Sequence, residues 1–265
     1  MEYFSIGRVF SRAFALVRDT VTSVGLFTLV IVLIEAAVSF FAQSAMLSDL
    51  GRIAASAGQA GFGQAFSGLV GLASLLGLAG LGLSWAGSVG GMLKQDRSGQ
   101  VTLQDCVNLA IAGFLPALAI CLLYWIGVFI GWMFIIVPGL ILICMWAVAL
   151  PAQLAEGIGI FEAFGRSRDL TRGHRLSIFG VLFVLMIAYY AISFAMLGSL
   201  FSMGDLRASV LTDNVERFSM IAIAVSIPLG WITSMVLKAV VTSLYIETIT
   251  VKGGGPATNV AGVFD

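Results

Sequence analysis

Residues 29–41 read LVIVLIEAAVSFF, and only Glu35 and Ser39 interrupt this apolar run. With its neighbours it is long enough to cross ~30 Å of hydrocarbon at ~1.5 Å per residue. The stretch therefore predicts a membrane span over residues 24–44. A charge at mid-bilayer costs ~3 kcal/mol on insertion scales. We therefore expect Glu35 either to pair with an opposite charge or to have a functional role.

The rest of the chain is also strongly apolar. Of its 265 residues, 59% are hydrophobic and 11% are charged, and the mean hydropathy is +1.03. Ordinary soluble domains carry about 25% charged residues, so the surplus apolar surface must face lipid. We expect one integral membrane domain over residues 1–265. The net charge of zero indicates no nucleic-acid partner.

Hydropathy predicts an all-α bundle of six transmembrane helices. Residues 131–136 form a very short third connection, so a re-entrant hairpin is an alternative there. Residues 1–23 place apolar side chains at three- and four-residue spacing and predict an amphipathic helix on the membrane surface. Residues 251–265 form a tail. The predicted spans are 24–44, 65–93, 107–130, 134–151, 176–200 and 218–248, the last with a kink at Pro228.

Basic residues predict the orientation. With six spans, ten Lys and Arg residues of the loops and termini fall on one side and three on the other. Cationic loops stay in the cytoplasm, so both termini should lie inside, and the short loops favour a bacterial plasma membrane. The three basic residues on the opposite side are Arg52, Arg207 and Arg217.

The positions of Glu35 and Lys238 along the first and last spans predict a buried ion pair. Glu35 lies eleven residues after the start of the first span, and Lys238 lies twelve residues before Thr250, where the last span ends. Both charges therefore reach nearly the same depth, and pairing would offset the burial of each. Ser39, Ser234 and Thr242 stand one turn away. The pair could be a structural clamp, or it could serve an ion relay or a polar substrate.

The second span carries small residues at four-residue spacing. Such faces let membrane helices approach closely, either inside the bundle or against a partner or second copy. The residues predicted for this packing face are Gly80, Ser84, Ser88, Gly87 and Gly91.

The connection between the fourth and fifth spans is basic. Its arginines can anchor the loop at the cytoplasmic surface or bind anionic lipid headgroups. The single His174 has no nucleophile placed near it, and the three cysteines show no metal-ligand spacing. No catalytic residue, metal or cofactor is predicted. The predicted headgroup ligands are Arg166, Arg168, Arg172 and Arg175.

Two stretches carry a family resemblance. The opening FSIGRVFSRAFALVRD and the region from Val137 to Gly173 resemble the membrane domain of glycerophosphoryl diester phosphodiesterase and its stand-alone relatives of unknown function. In that family the phosphodiesterase chemistry belongs to a separate soluble barrel, for which this chain leaves no room. The resemblance thus implies a membrane or lipid-associated role without catalysis, and it suggests that Glu156 pairs with Arg166 or Arg172. The matching residues of the second stretch are Val137-Pro138-Gly139, Trp146, Pro151, Glu156, Glu162-Ala163, Arg166-Ser167 and Leu170-Thr171-Arg172-Gly173.

These observations favour a non-enzymatic membrane protein that binds lipid or a partner protein, as a subunit or organiser of a membrane complex. A transporter for a small solute, lipid or ion that uses Glu35 and Lys238 is the alternative. An intramembrane enzyme is the least favoured class, because no nucleophile–base pair or metal-ligand cluster stands out.

Overall fold

The computed structural model describes residues 4–55, 69–134, 136–202 and 215–252. Within these ranges the chain is helical and forms no strand. The helices are α1 (Ile6–Thr20), α2 (Val24–Ala55), α3 (Leu69–Ser98), α4 (Leu103–Phe134), α5 (Ile136–Trp146), α6 (Ala149–Glu156), α7 (Ile160–Thr171), α8 (Arg175–Ser202) and α9 (Val215–Val251).

Six stretches of these helices are long and apolar enough to cross a membrane, so the chain is a multi-pass, all-α membrane protein. Each coincides with a predicted span, although the helices run further than predicted: α2 continues to Ala55 and α4 to Phe134. Helix α9 continues through Pro228 without a break. The stretches are Val24–Phe41, Ala73–Ser98, Leu103–Phe134, Val137–Glu156, Arg175–Phe194 and Ile227–Val251.

The fourth span is two helices, not the single helix expected over residues 134–151. Helix α5 ends at Trp146 and α6 begins at Ala149, with turn geometry at Ala147 and Val148. Pro151 is the physical reason, because a proline ring clashes with the carbonyl four residues earlier, here that of Ala147. Within α6 the proline stands in the first turn, where a missing N–H is tolerated.

Helices α4 and α5 pack closely through glycines. A Cβ atom added to Gly131 would lie 3.0 Å from the Gly139 Cα, so neither position has room for a larger residue. Such contacts allow two membrane helices to approach backbone to backbone. Helix α4 ends at Phe134 and α5 begins at Ile136, and residue 135 lies outside the described ranges.

Ion pairs and hydrogen bonds gather the basic segments at one end of the bundle, called here the basic end. Arg12 lies 3.8 Å from Asp96, and Lys94 lies 2.8 Å from Asp105 at the start of α4. Arg97 donates to the Ala155 carbonyl at 3.3 Å. The segments that the sequence assigns to one side therefore meet in three dimensions.

Helix α1 packs on this end through one face. Its buried residues are Val9, Ala13, Leu16 and Thr20, whereas Phe14 is 74% exposed. Glu247, near the end of α9, contacts the beginning of α1. Its carboxylate is buried and accepts from Arg8 Nε at 2.9 Å and from the Ser5 backbone N–H at 3.1 Å.

Helix α8 is loosely packed. Only 11% of its candidate span is buried, against 50% for the α3 and α9 spans. Its apolar side chains leave spaces between α8 and the bundle, and these spaces hold the candidate site.

Candidate functional site

Lys238 is buried at the centre of the bundle, with 3% of its surface exposed. Its Nζ donates to Ser84 Oγ at 2.5 Å and lies 3.5 Å from Ser88 Oγ. The ammonium also stands 5.9 Å from the centre of the Trp85 ring, within cation–π range. Helix α3 thus supplies the polar contacts of Lys238, which lies in the membrane-spanning part of α9.

Glu35 approaches the same face of α3 one turn away. A Cβ atom at Gly80 would lie 2.7 Å from Glu35 Oε1, so the absence of a side chain there makes room for the carboxylate. Gly80 and Ser84 are four residues apart, so the positions on α3 that the two charged groups contact lie ~6 Å apart along the helix.

Glu35 and Lys238 are not in hydrogen-bond contact with each other. Among the described side chains, no ion pair within 4 Å joins Glu35 to Lys238, and the closest partner of Lys238 is the Ser84 hydroxyl. The Glu35–Lys238 ion pair therefore stays a prediction. Of the predicted polar neighbours, Thr242 donates to the Lys238 backbone carbonyl at 2.8 Å.

The small residues of α3 divide into two functional groups. Gly80, Ser84 and Ser88 face the charged groups of α2 and α9. Gly87 and Gly91 pack inside the bundle, where a Cβ would lie 2.8 Å from the Cys106 carbonyl oxygen and 2.9 Å from Cys106 Sγ, respectively. Both groups therefore serve contacts within the chain.

Glu35 and Lys238 line a space of about 550 Å³, called here the deep cavity. It lies between α2, α3, α8 and α9, and its remaining walls are mostly apolar. Its polar wall residues include Ser84, Tyr189, Thr233 and Ser234, and Gly230 leaves part of the α9 wall open.

A second space of about 480 Å³, the middle cavity, adjoins the deep cavity. It lies between α4, α5, α8 and α9. The two cavities share four wall residues, namely Trp85, Leu182, Met186 and Leu237. The rest of the middle cavity is aromatic and aliphatic, with Tyr124, Trp146, Phe179 and Phe183 in its wall.

A third space of about 440 Å³, the surface cavity, lies at the basic end where α8 begins. Three of the four predicted headgroup arginines line it, together with Gly173 and the 86% exposed Leu176. The three are Arg168, Arg172 and Arg175.

The fourth, Arg166, points elsewhere. Its Nε donates to both carboxylate oxygens of Glu156 at 3.0 Å, which confirms the pairing suggested for Glu156. Tyr245 of α9 also donates to Glu156, at 3.0 Å. Glu156 therefore joins three helices, and Arg166 is engaged in holding the fold.

The three cavities lie in succession along α8. Leu176 lines the surface cavity, Phe179 and Phe183 the middle cavity, and Leu185, Tyr189 and Ile192 the deep cavity. At about 3.6 residues per turn, Leu185, Tyr189 and Ile192 lie roughly opposite Leu176 and Phe183. Leu182 and Met186 lie between these two sets and line both the middle and the deep cavity. The walls therefore turn around α8 on the way from the exposed arginines to the buried Lys238 and Glu35, and the three cavities together are called here the groove. Sequence reasoning missed this groove, because the apolar positions of α8 look alike whether they face lipid or a neighbouring helix.

The contacts of His174 and the state of the three cysteines indicate structural roles. His174 stacks on Phe4 with ring centroids 5.4 Å apart, and Cys106, Cys121 and Cys144 are free thiols. No group of three or more metal-ligating side chains occurs within the ranges given above.

Comparisons with protein-family models, with curated proteins and with solved structures give no match for this chain. The resemblance to the phosphodiesterase membrane domain therefore stays a prediction from its short motifs. The geometry of the groove is the basis for the functional proposal.

Proposed function

We propose that this chain is a non-enzymatic integral membrane protein that binds a lipid along the groove of α8. The observation that carries the proposal is the order of the three cavities. Exposed arginines stand at one end, mostly aromatic and aliphatic walls follow, and the opposite charges of Glu35 and Lys238 stand at the other end. This sequence of surfaces is complementary to an amphiphile.

The dimensions support the proposal. Leu176 and Ile192 are sixteen residues apart, so the groove extends ~24 Å along α8, comparable to most of the hydrocarbon thickness. The surface cavity offers guanidinium groups, which bind phosphate oxygens bidentately. An anionic headgroup would lie there, while an acyl chain would enter the middle cavity.

Orientation and location are part of the same proposal. The basic end carries α1, the α3–α4 connection, α7 and the last residues of α9. Cationic segments are retained in the cytoplasm, so the surface cavity would face the anionic inner leaflet of a bacterial plasma membrane, with both termini inside.

Filling the deep cavity tests the proposal. A Cβ atom at Gly230 meets no atom within 4 Å, so Gly230→Leu should place a side chain in the cavity without a clash. We expect the variant to lose co-purifying lipid in native mass spectrometry while it still folds. Gly77→Leu is the matched control, since Gly77 also has open space but is not a wall residue of any of the three cavities. Equal lipid retention by both variants would contradict the proposal.

A second candidate function is transport of a small solute, lipid or ion. It is favoured by the two opposite charges that line one cavity in the middle of the spans. Flux of a tracer into vesicles that contain the purified protein would distinguish transport from binding alone. A partner protein or second copy has less support, because the small-residue face predicted for such an interface is used within the bundle.

A further inference from the structure

We infer that the deep cavity binds the headgroup of a zwitterionic phospholipid that carries a primary ammonium, of the phosphoethanolamine type. The ligand's ammonium would donate to Glu35, and its phosphate would accept from Lys238. This inference rests on the proposed function and names the ligand class of the same groove.

Charge complementarity is the first argument. The cavity wall carries one carboxylate and one ammonium, with Glu35 beside Gly80 and Lys238 beside Ser84. Because their contacts on α3 lie ~6 Å apart and no ion pair within 4 Å joins them, each can bind a separate group of a ligand. An anionic headgroup would satisfy Lys238 and face Glu35 unfavourably, and a cationic headgroup would do the reverse.

Hydrogen-bonding capacity is the second argument. A lysine ammonium has three N–H donors, and Ser84 accepts one of them at 2.5 Å. Phosphate oxygens can accept from the donors that remain. A carboxylate only accepts, so Glu35 requires a ligand with N–H or O–H groups. A primary ammonium supplies these, and a quaternary ammonium of the choline type does not.

The depth of the site in the membrane determines where a bound headgroup would lie. Lys238 lies near the middle of the Ile227–Val251 span, and the apolar middle cavity separates it from the arginines of the surface cavity. A headgroup held beside Lys238 has therefore left the membrane surface. The groove then provides two headgroup positions, an anionic-lipid site at the basic end and a zwitterionic-lipid site at mid-depth.

The test offers three lipids of equal chain length to the purified, delipidated full chain in detergent: phosphatidylethanolamine, phosphatidylcholine and phosphatidylglycerol. Retention is read by native mass spectrometry. We expect the wild type to retain phosphatidylethanolamine better than phosphatidylcholine. Glu35→Gln should lower phosphatidylethanolamine retention about tenfold, as the loss of one hydrogen bond to a charged group implies, and should not lower phosphatidylglycerol retention.

Two further variants keep the result interpretable. Glu162→Gln makes the same chemical change at an exposed position of α7 and should retain all three lipids as the wild type does. Lys238→Met removes the donor to the phosphate and should also lower retention of phosphatidylethanolamine. Glu35→Gln leaves Lys238 and its contact with Ser84 in place, so it tests the inference even if Lys238→Met fails to fold.

The other possible outcomes would overturn this inference alone or the proposed function as well. Equal retention of the three lipids by the wild type, or a Glu35→Gln variant that retains phosphatidylethanolamine fully, would overturn this inference and leave the proposed function standing. A wild-type chain that retains no lipid at all would overturn both.

Discussion

Lys238 of α9 donates a 2.5 Å hydrogen bond to Ser84 of α3, and both side chains are buried at the centre of the bundle. A hydroxyl on a third helix is thus the nearest partner of the lysine, while Glu35 stands one turn further along α3. This arrangement leaves the carboxylate and the ammonium facing one cavity.

The Lys238–Ser84 contact predicts a pattern of energetic coupling. Ser84→Ala should destabilise the protein by about 1–3 kcal/mol, because it removes the closest acceptor of a buried ammonium. In double-mutant cycles on denaturant unfolding in detergent, the Lys238–Ser84 coupling should exceed the Lys238–Glu35 coupling. A larger coupling to Glu35 would instead support the direct ion pair predicted from depth.

Ser88→Ala is the matched control for this cycle. Ser88 Oγ lies 3.5 Å from Lys238 and bonds to the Ser84 backbone carbonyl at 2.5 Å, so its hydroxyl is already satisfied within its own helix. We expect a smaller loss of stability than for Ser84→Ala.

The sequence predicted the depth of these charges but not their partners. The rise per residue is fixed in a helix, so counting from the ends of the spans placed Glu35 and Lys238 at one level. Which side of each helix faces which neighbour depends on packing, and a span that is apolar all round carries no amphipathic signal for it. The Lys238–Ser84 contact and the cavities beside α8 were therefore not predictable in this way.

The break in the fourth span was predictable and was missed. Pro151 stands four residues after Ala147, which is the spacing at which a proline disrupts a helix. Hydropathy is continuous across the break, so an assignment based on apolar content alone did not separate α5 from the start of α6.

The contact of Arg8 with Glu247 predicts how α1 is held. Arg8→Ala should lower the stability by about 1–3 kcal/mol, because the buried carboxylate loses a charged donor at 2.8 Å. It should also raise the rate of limited proteolysis within α1. The control is Arg18→Ala on the same helix, whose neighbour Asp19 is exposed, and this change should have almost no effect. Equal effects of the two changes would show that Arg8 holds α1 no more firmly than a surface arginine does.

The internal packing of α3 predicts opposite effects for two glycine substitutions. A Cβ at Gly87 would lie 2.8 Å from the Cys106 carbonyl oxygen, so Gly87→Ala should cost about 1–3 kcal/mol through overpacking. A Cβ at Gly77 meets nothing within 4 Å, so Gly77→Ala should be neutral or stabilising by up to about 1 kcal/mol through helix propensity. Thermal melting in detergent measures both. A Gly87→Ala variant as stable as the wild type would show that α3 and α4 are packed less closely than described.

The surface cavity predicts that the four arginines of the basic connection differ in lipid binding. Arg172 lines the cavity, whereas Arg166 is held by Glu156. Each basic residue near an anionic membrane contributes about 1 kcal/mol, so Arg172→Gln should weaken binding of phosphatidylglycerol about fivefold. Arg166→Gln removes the same charge from the same loop, but it should affect stability more than lipid binding, since it leaves Glu156 with only Tyr245 as a partner among the described residues. Retention of phosphatidylglycerol, measured at low and high salt, checks both variants, because the part that depends on Arg172 should be screened by salt. If the two variants lose the lipid equally, the loop acts only through its total charge, and the surface cavity is not a headgroup site.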